Sequence, residues 1–215
     1  MPHTHKNRPR GSFRAPANVS PSSQGSEKRA SRRPPPLQLK ASSQPIQRFR
    51  LSEDDQEAYP RLAYYLQHNM PDILNNRRIM RGLLSYGQLS REDVAGHVAW
   101  GSGPLVTVTD LEGANGEFTP NSDSDELRID LDIVQQLQDA GRGDANAALL
   151  LVGSTILHEF THYGDDQDGE DYTEGHGEEG QAFEEYVYGR DIDNLEDASE
   201  VIEEYNARRR RRRGR

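Results

Sequence analysis

Residues 1–45 carry almost no aliphatic cluster, and a periodic apolar pattern begins only near Ser52. The leader is built from Pro, Ser, Arg, Gln and Ala, which cannot offset the entropy of folding, so residues 1–45 are expected to be a disordered, basic N-terminal leader. LQLKASSQPIQRFRL at 37–51 brings the first apolar side chains, either as a patch that docks or as a linker. From Ser52, which with Asp55 resembles a capping box, Ala58, Leu62, Tyr65 and Leu66 fall at helical spacing across Pro60. A second helix is predicted over 71–84, with Pro71 in its first turn and Gly87 beyond its end, and a third over 90–98 with Ser90 and Asp93 as its cap pair. The period then changes to two. PLVTVTD (104–110) and ELRIDLD (126–132) alternate like half-buried strands, joined by the Gly-, Asn- and Ser-rich LEGANGEFTPNSDSD, and IVQQLQDAG (133–141) returns to a helix.

The next segment, DANAALLLVGSTILHEFTHYGDD (144–166), reads as a largely apolar helix capped at Asp144 and ended near Gly164. His158 and His162 stand four residues apart on it and so project from one face on adjacent turns, as two imidazoles on one zinc ion require. Glu159 is rotated off that stripe, where a carboxylate suits a general base that takes a proton from a metal-acidified water without ligating the metal. HGEEGQAFEEYVYG (176–189) offers the third ligand. If it is helical throughout, Gly180, Glu184 and Tyr188 form one stripe: Gly180 admits a neighbouring helix, Glu184 binds zinc and Tyr188 donates to the oxyanion. Glu179 is the alternative ligand, because it shares the apolar face with Ala182, Phe183 and Tyr186, where a carboxylate needs a cation. Glu178 and Glu185 are expected to point into solvent.

Composition narrows the chemistry. The 215 residues contain no cysteine, which excludes disulfides and thiolate metal sites and leaves His, Asp and Glu as ligands. Residues 1–50 hold 11 Lys and Arg against the single acid Glu27, and 208–215 hold seven Arg, leaving 8 basic against 35 acidic residues between 51 and 207, a net of −27. Such a body repels phosphate, so nucleic acid is not expected as a partner except through the basic tails. Residues 208–215, a block of like charge, are expected to be a disordered poly-Arg tail. No apolar stretch approaches the length of a membrane span and no signal-peptide core is present, so a soluble protein made in the cytoplasm is expected. DDQDGEDYTEG (165–175) resembles part of a calcium loop but has Gly175 where the closing Glu belongs, so a solvated acidic loop is the simpler expectation.

HEFTHYGDD followed by EEGQAFEEYVYG resembles the zincin-like metallopeptidase toxins of bacterial polymorphic and contractile-injection systems, best over 100–192. The resemblance implies an α+β zincin-like metallopeptidase domain over 51–207, with the H-E-x-x-H helix beneath a small mixed or antiparallel sheet. It also implies Zn2+ on His158, His162 and Glu184, with Glu159 as base, acting on a protein or peptide substrate. Export or injection without a classical signal peptide, an injection apparatus and a cognate immunity protein follow from the same resemblance. The sequence departs from the thermolysin-like pattern, which has Asp four residues after the ligand Glu, where this chain has Tyr188 or Phe183. A carboxylate orienting a ligand histidine is therefore expected from Asp165 or Asp166. The rival expectation is a non-catalytic binding or delivery protein with a structural or vestigial metal site.

Overall fold

A computed structural model describes residues 49–120, 125–168 and 178–214. The leader expected over 1–45 lies outside the described residues, as does the calcium-like loop from Gly169 onward. The architecture is α+β, as the pattern implies, with eight α-helices and a four-stranded mixed sheet among the described residues.

The front of the domain is more broken than the periodicity predicts. After β1 (Arg50–Leu51), α1 (Glu53–Ala58) starts at Ser52, whose side chain accepts from the Asp55 N–H. Pro60 has no N–H to continue that helix, so it opens a new one, α2 (Pro60–Tyr64), with Tyr59 in a non-helical conformation between them. A π turn (Tyr65–Asn69) and a 3-10 turn (Met70–Asn75) follow. The helix predicted over 71–84 is thus divided: Asn76 accepts from the N–H groups of Arg78 and Ile79 and caps α3 (Arg77–Tyr86). α4 (Arg91–Val98) has the expected reciprocal box between Ser90 and Asp93.

The strand order is β1-β2-β4-β3. β2 (Leu105–Thr109) lies parallel to both β1 and β4 (Glu126–Asp130), while β3 (Gly116–Phe118) is antiparallel to β4 at the edge. Both predicted strands are therefore internal; β1 forms one edge, and the other comes from the segment between them that reads as a loop. α5 (Leu131–Asp139) follows β4 directly. Asp130 joins the two, one oxygen accepting from Asp132 N–H to cap the helix and the other from Leu111 N–H.

α6 (Ala145–Asp168) passes through the core, packing on β3, β4, α5, α7 and α8. Leu151, Val152, Ile156, Leu157 and Phe160 are buried along it, the pattern of a helix enclosed on most sides. It does not stop at Gly164 as predicted. A Cβ at that position would lie 2.7 Å from Leu89 Cγ and against the Gly87 carbonyl, so this glycine permits close packing and is not a cap. α7 (Glu179–Val187) and α8 (Leu195–Arg213) complete the chain. α8 runs on through Arg213, where a disordered tail was expected from 208. Arg208 pairs with Glu204 one turn back at 2.8 Å, and arginines in a last turn complement the helix dipole. Among the described residues, no helix is long and apolar enough to cross a membrane.

Candidate metal centre

His158 and His162 project from adjacent turns of α6 with ring centroids 5.2 Å apart. The start of α7 lies directly on them. Gly180 makes this possible: a Cβ there would sit 2.5 Å from His158 Nε2 and 2.7 Å from its Cγ.

Each imidazole stands between two carboxylates. His158 Nδ1 lies 3.1 Å from Glu184 Oε1, and His162 Nδ1 lies 3.0 Å from Glu179 Oε1. Both Nε2 atoms turn the other way, onto one oxygen of Glu178: His158 Nε2 is 3.0 Å from Glu178 Oε1, and His162 Nε2 contacts the same atom. One ligand-type atom from each of His158, His162 and Glu178 falls within 4.8 Å of the others. Glu178 is extended, not helical, and its carboxylate also caps α7, accepting from Gly180 N–H and Gln181 N–H. Glu184 is 4 % exposed, and its second oxygen accepts from Ile192 N–H at 2.8 Å.

Glu159 is 6 % exposed, lies against Gly116 of β3 and accepts a hydrogen bond from the Phe118 backbone. A cavity of ≈ 310 Å³ opens beside it, lined by Thr155, His158, Glu159 and Glu184, by 113–116 and by Ile192 and Asp193. Asn115 Nδ2 donates to the Asp193 carbonyl at 2.8 Å, joining two of those walls.

Burial opposes protonation of both histidines, but the flanking carboxylates outweigh it: Glu178 and Glu184 bring His158 up to about 10, and Glu178 and Glu179 raise His162. Burial raises Glu159 and Glu184, partly offset by the nearby imidazoles. Burial would also raise Glu178, yet its hydrogen bonds to both histidines hold it well below the usual carboxylate range. Four carboxylates thus surround two half-buried imidazoles, with Glu159 and Glu184 buried and Glu178 open to solvent, an excess of negative charge that a divalent cation would balance. Two convergent imidazole nitrogens and a carboxylate form a donor set that suits zinc, and Nδ1 positions turned to carboxylates are the usual outer support of such ligands. The residues present fit a metal ion.

The histidine pair and Glu159 come together as the sequence predicts, but the surrounding carboxylates are distributed otherwise. Glu184 and Glu179, the expected third ligands, lie on the Nδ1 sides, and Glu178, exposed as expected, also reaches between the Nε2 atoms. The reason is the helix start. A helix through 176–189 would turn Glu178 away, whereas a helix beginning at Glu179 leaves Glu178 at the cap with its side chain free to reach α6. A carboxylate followed three residues later by Gln181, just before the apolar Ala182 and Phe183, was the available sign of that start. Glu185 is exposed as expected. Tyr188 does not line the cavity; its ring packs on Phe183 and borders a separate groove with Leu150, Val201 and Ile202. Asp165 accepts from Gln88 Nε2 at 2.7 Å, and the carboxylates that face the two Nδ1 atoms are those of Glu184 and Glu179.

Comparison with curated proteins and with solved structures found no match. The family described as metallopeptidase toxin 3 matches residues 55–189, well over half of the chain. That span runs from α1 to the end of α7 and contains the whole His–Glu cluster together with the edge strand above Glu159. With a metal-competent site inside the matched span, the chain belongs to the metallopeptidase toxin 3 family.

Proposed function

We propose that this metallopeptidase toxin is a zinc-dependent endopeptidase of zincin-like fold, with His158, His162 and Glu178 as ligands and Glu159 as general base. The observation that carries the reading is the convergence of both Nε2 atoms on Glu178 while both Nδ1 atoms face other carboxylates. When bound, zinc supplies Lewis-acid polarisation of a carbonyl and lowers the pKa of water to about 7. Glu159, held by the Phe118 N–H at the cavity wall, accepts a proton from the attacking water and passes it to the leaving amine. A substrate strand adds to the free side of β3, the edge strand that lies against Glu159.

A site with three protein ligands and an adjoining cavity favours catalysis over the structural or vestigial metal site of a delivery protein, which would be closed by a fourth ligand. Family membership is the support for export or injection and for a cognate immunity protein.

Zinc content of the purified protein, beside that of a His158→Ala, His162→Ala double variant, tests the centre. Glu159→Gln should keep the metal and lose proteolysis. Equal zinc in wild type and double variant, or full proteolysis by Glu159→Gln, would end this reading.

A further inference from the structure

We infer that Glu184 is a positioning residue that ties the orientation of the His158 imidazole to the α7–α8 connection, so that one buried carboxylate sets both the metal centre and a wall of its cavity. This rests on the zinc-peptidase reading above.

The two oxygens of Glu184 go to different parts of the molecule. Oε1 meets His158 Nδ1 at 3.1 Å, and Oε2 accepts from Ile192 N–H at 2.8 Å. Ile192 is 2 % exposed and anchored in the core, and the carbonyl of the next residue, Asp193, accepts from Asn115 at 2.8 Å. A continuous set of bonds therefore runs from α6 through α7 and the α7–α8 connection to the loop before β3. Its chemical effect falls on His158. A histidine that ligates through Nε2 must carry its proton on Nδ1, and an acceptor facing Nδ1 holds that tautomer and the ring plane.

Burying a carboxylate is costly unless its lone pairs are used, and here both oxygens have donors. Glutamine has the same shape but one acceptor oxygen. It can serve His158 or Ile192, and its amide N–H would then face the other donor. Glu179 stands in the same relation to His162, but its side chain is 22 % exposed, so water can replace it, as it cannot at Glu184 with 5 %.

The experiment uses the full-length protein as wild type, Glu184→Gln and Glu179→Gln. Zinc affinity is read by chelator competition, histidine tautomers by 15N NMR of the zinc-loaded protein, and amide exchange at Ile192 without metal. Glu184→Gln should weaken zinc by about 10–100-fold and disturb the Nδ1–H signal of His158, with a smaller effect from Glu179→Gln. Where the glutamine oxygen stays with His158 instead, Ile192 exchange should quicken roughly tenfold, and in Glu184→Gln alone. Wild-type zinc affinity together with unchanged Ile192 exchange in Glu184→Gln overturns the inference. If that variant does not fold, the wild type decides: zinc loading should slow exchange at Ile192 more than at Ile133 in α5, and equal slowing overturns the link. A wild type that binds no zinc would instead sink the zinc-peptidase reading, while Ile192 exchange in the metal-free protein would still test the bond to Glu184.

Discussion

Gly180 of α7 gives up its side-chain volume to the His158 imidazole, whose Nε2 would lie only 2.5 Å from any Cβ placed there. Gly180→Ala must therefore displace either the helix or the ring. Overpacking of this kind costs about 1–3 kcal/mol, more than the gain in helix propensity of up to about 1 kcal/mol from replacing glycine. The variant should melt lower than wild type and bind zinc more weakly, as read by calorimetry and chelator competition. Unchanged zinc affinity would mean that the packing seen here does not position the ligand.

Glu178 is proposed to serve twice, as metal ligand and as cap of α7, and the two roles can be separated. Serine is a good N-cap but is too short to reach the histidines, so Glu178→Ser should keep the start of α7 while losing the contacts to both imidazoles. Its zinc affinity should fall further than the roughly 10–100-fold expected from removing an outer carboxylate. Near-normal zinc binding in Glu178→Ser would return the ligand role to Glu184 or Glu179.

Without metal, stability should fall as pH rises. His158 titrates at about 10 in the folded protein, against an ordinary value of 6.5, because Glu178 and Glu184 outweigh the effect of burial. A folded value above the unfolded one gives stabilisation that is complete below about 6.5 and is lost as pH rises towards 10. The raised values of His162, Glu159 and Glu184 act in the same direction, while Glu178, held low, acts oppositely and only in acid. Zinc requires neutral imidazoles, so its affinity rises with pH. The difference in Tm between zinc-loaded and chelated protein should widen from pH 6 to pH 9, and parallel curves would contradict the site's electrostatics.

What could be read in advance followed the strength of the local signal. His158, Glu159 and His162 lie in a long apolar helix, so their relative placement needed only the helical period. β2 and β4 were legible from strict alternation, whereas β3 has three residues, two of them Gly116 and Glu117, and gains strand geometry only by pairing with β4. Gly164 looked like a helix end because glycine at that place usually is one; only the approach of Gly87 and Leu89 from a distant part of the chain shows otherwise. Glu178 was missed because a shift of a few residues in where α7 starts changes which carboxylates meet the histidines, and helix starts are the least certain feature of any pattern.

Gly116 offers the counterpart to Gly180 on the opposite wall. A Cβ there would lie 2.6 Å from Glu159 Oε1 and 2.7 Å from Thr155 Cγ2, so Gly116→Ala presses on the proposed base and leaves the histidines untouched. The neighbouring Phe118 N–H that holds Glu159 would move with the strand. Because a misplacement of about 1 Å can cost roughly a hundredfold in rate, kcat on a peptide substrate should fall by one to two orders of magnitude. Zinc affinity should stay within about threefold of wild type, since no ligand or outer carboxylate is displaced. Together the two glycines separate metal binding from proton transfer: Gly180→Ala should lose zinc, and Gly116→Ala should lose turnover with zinc retained. Loss of zinc in Gly116→Ala, or full turnover in it, would show that Glu159 is not held against β3 as a base distinct from the ligands.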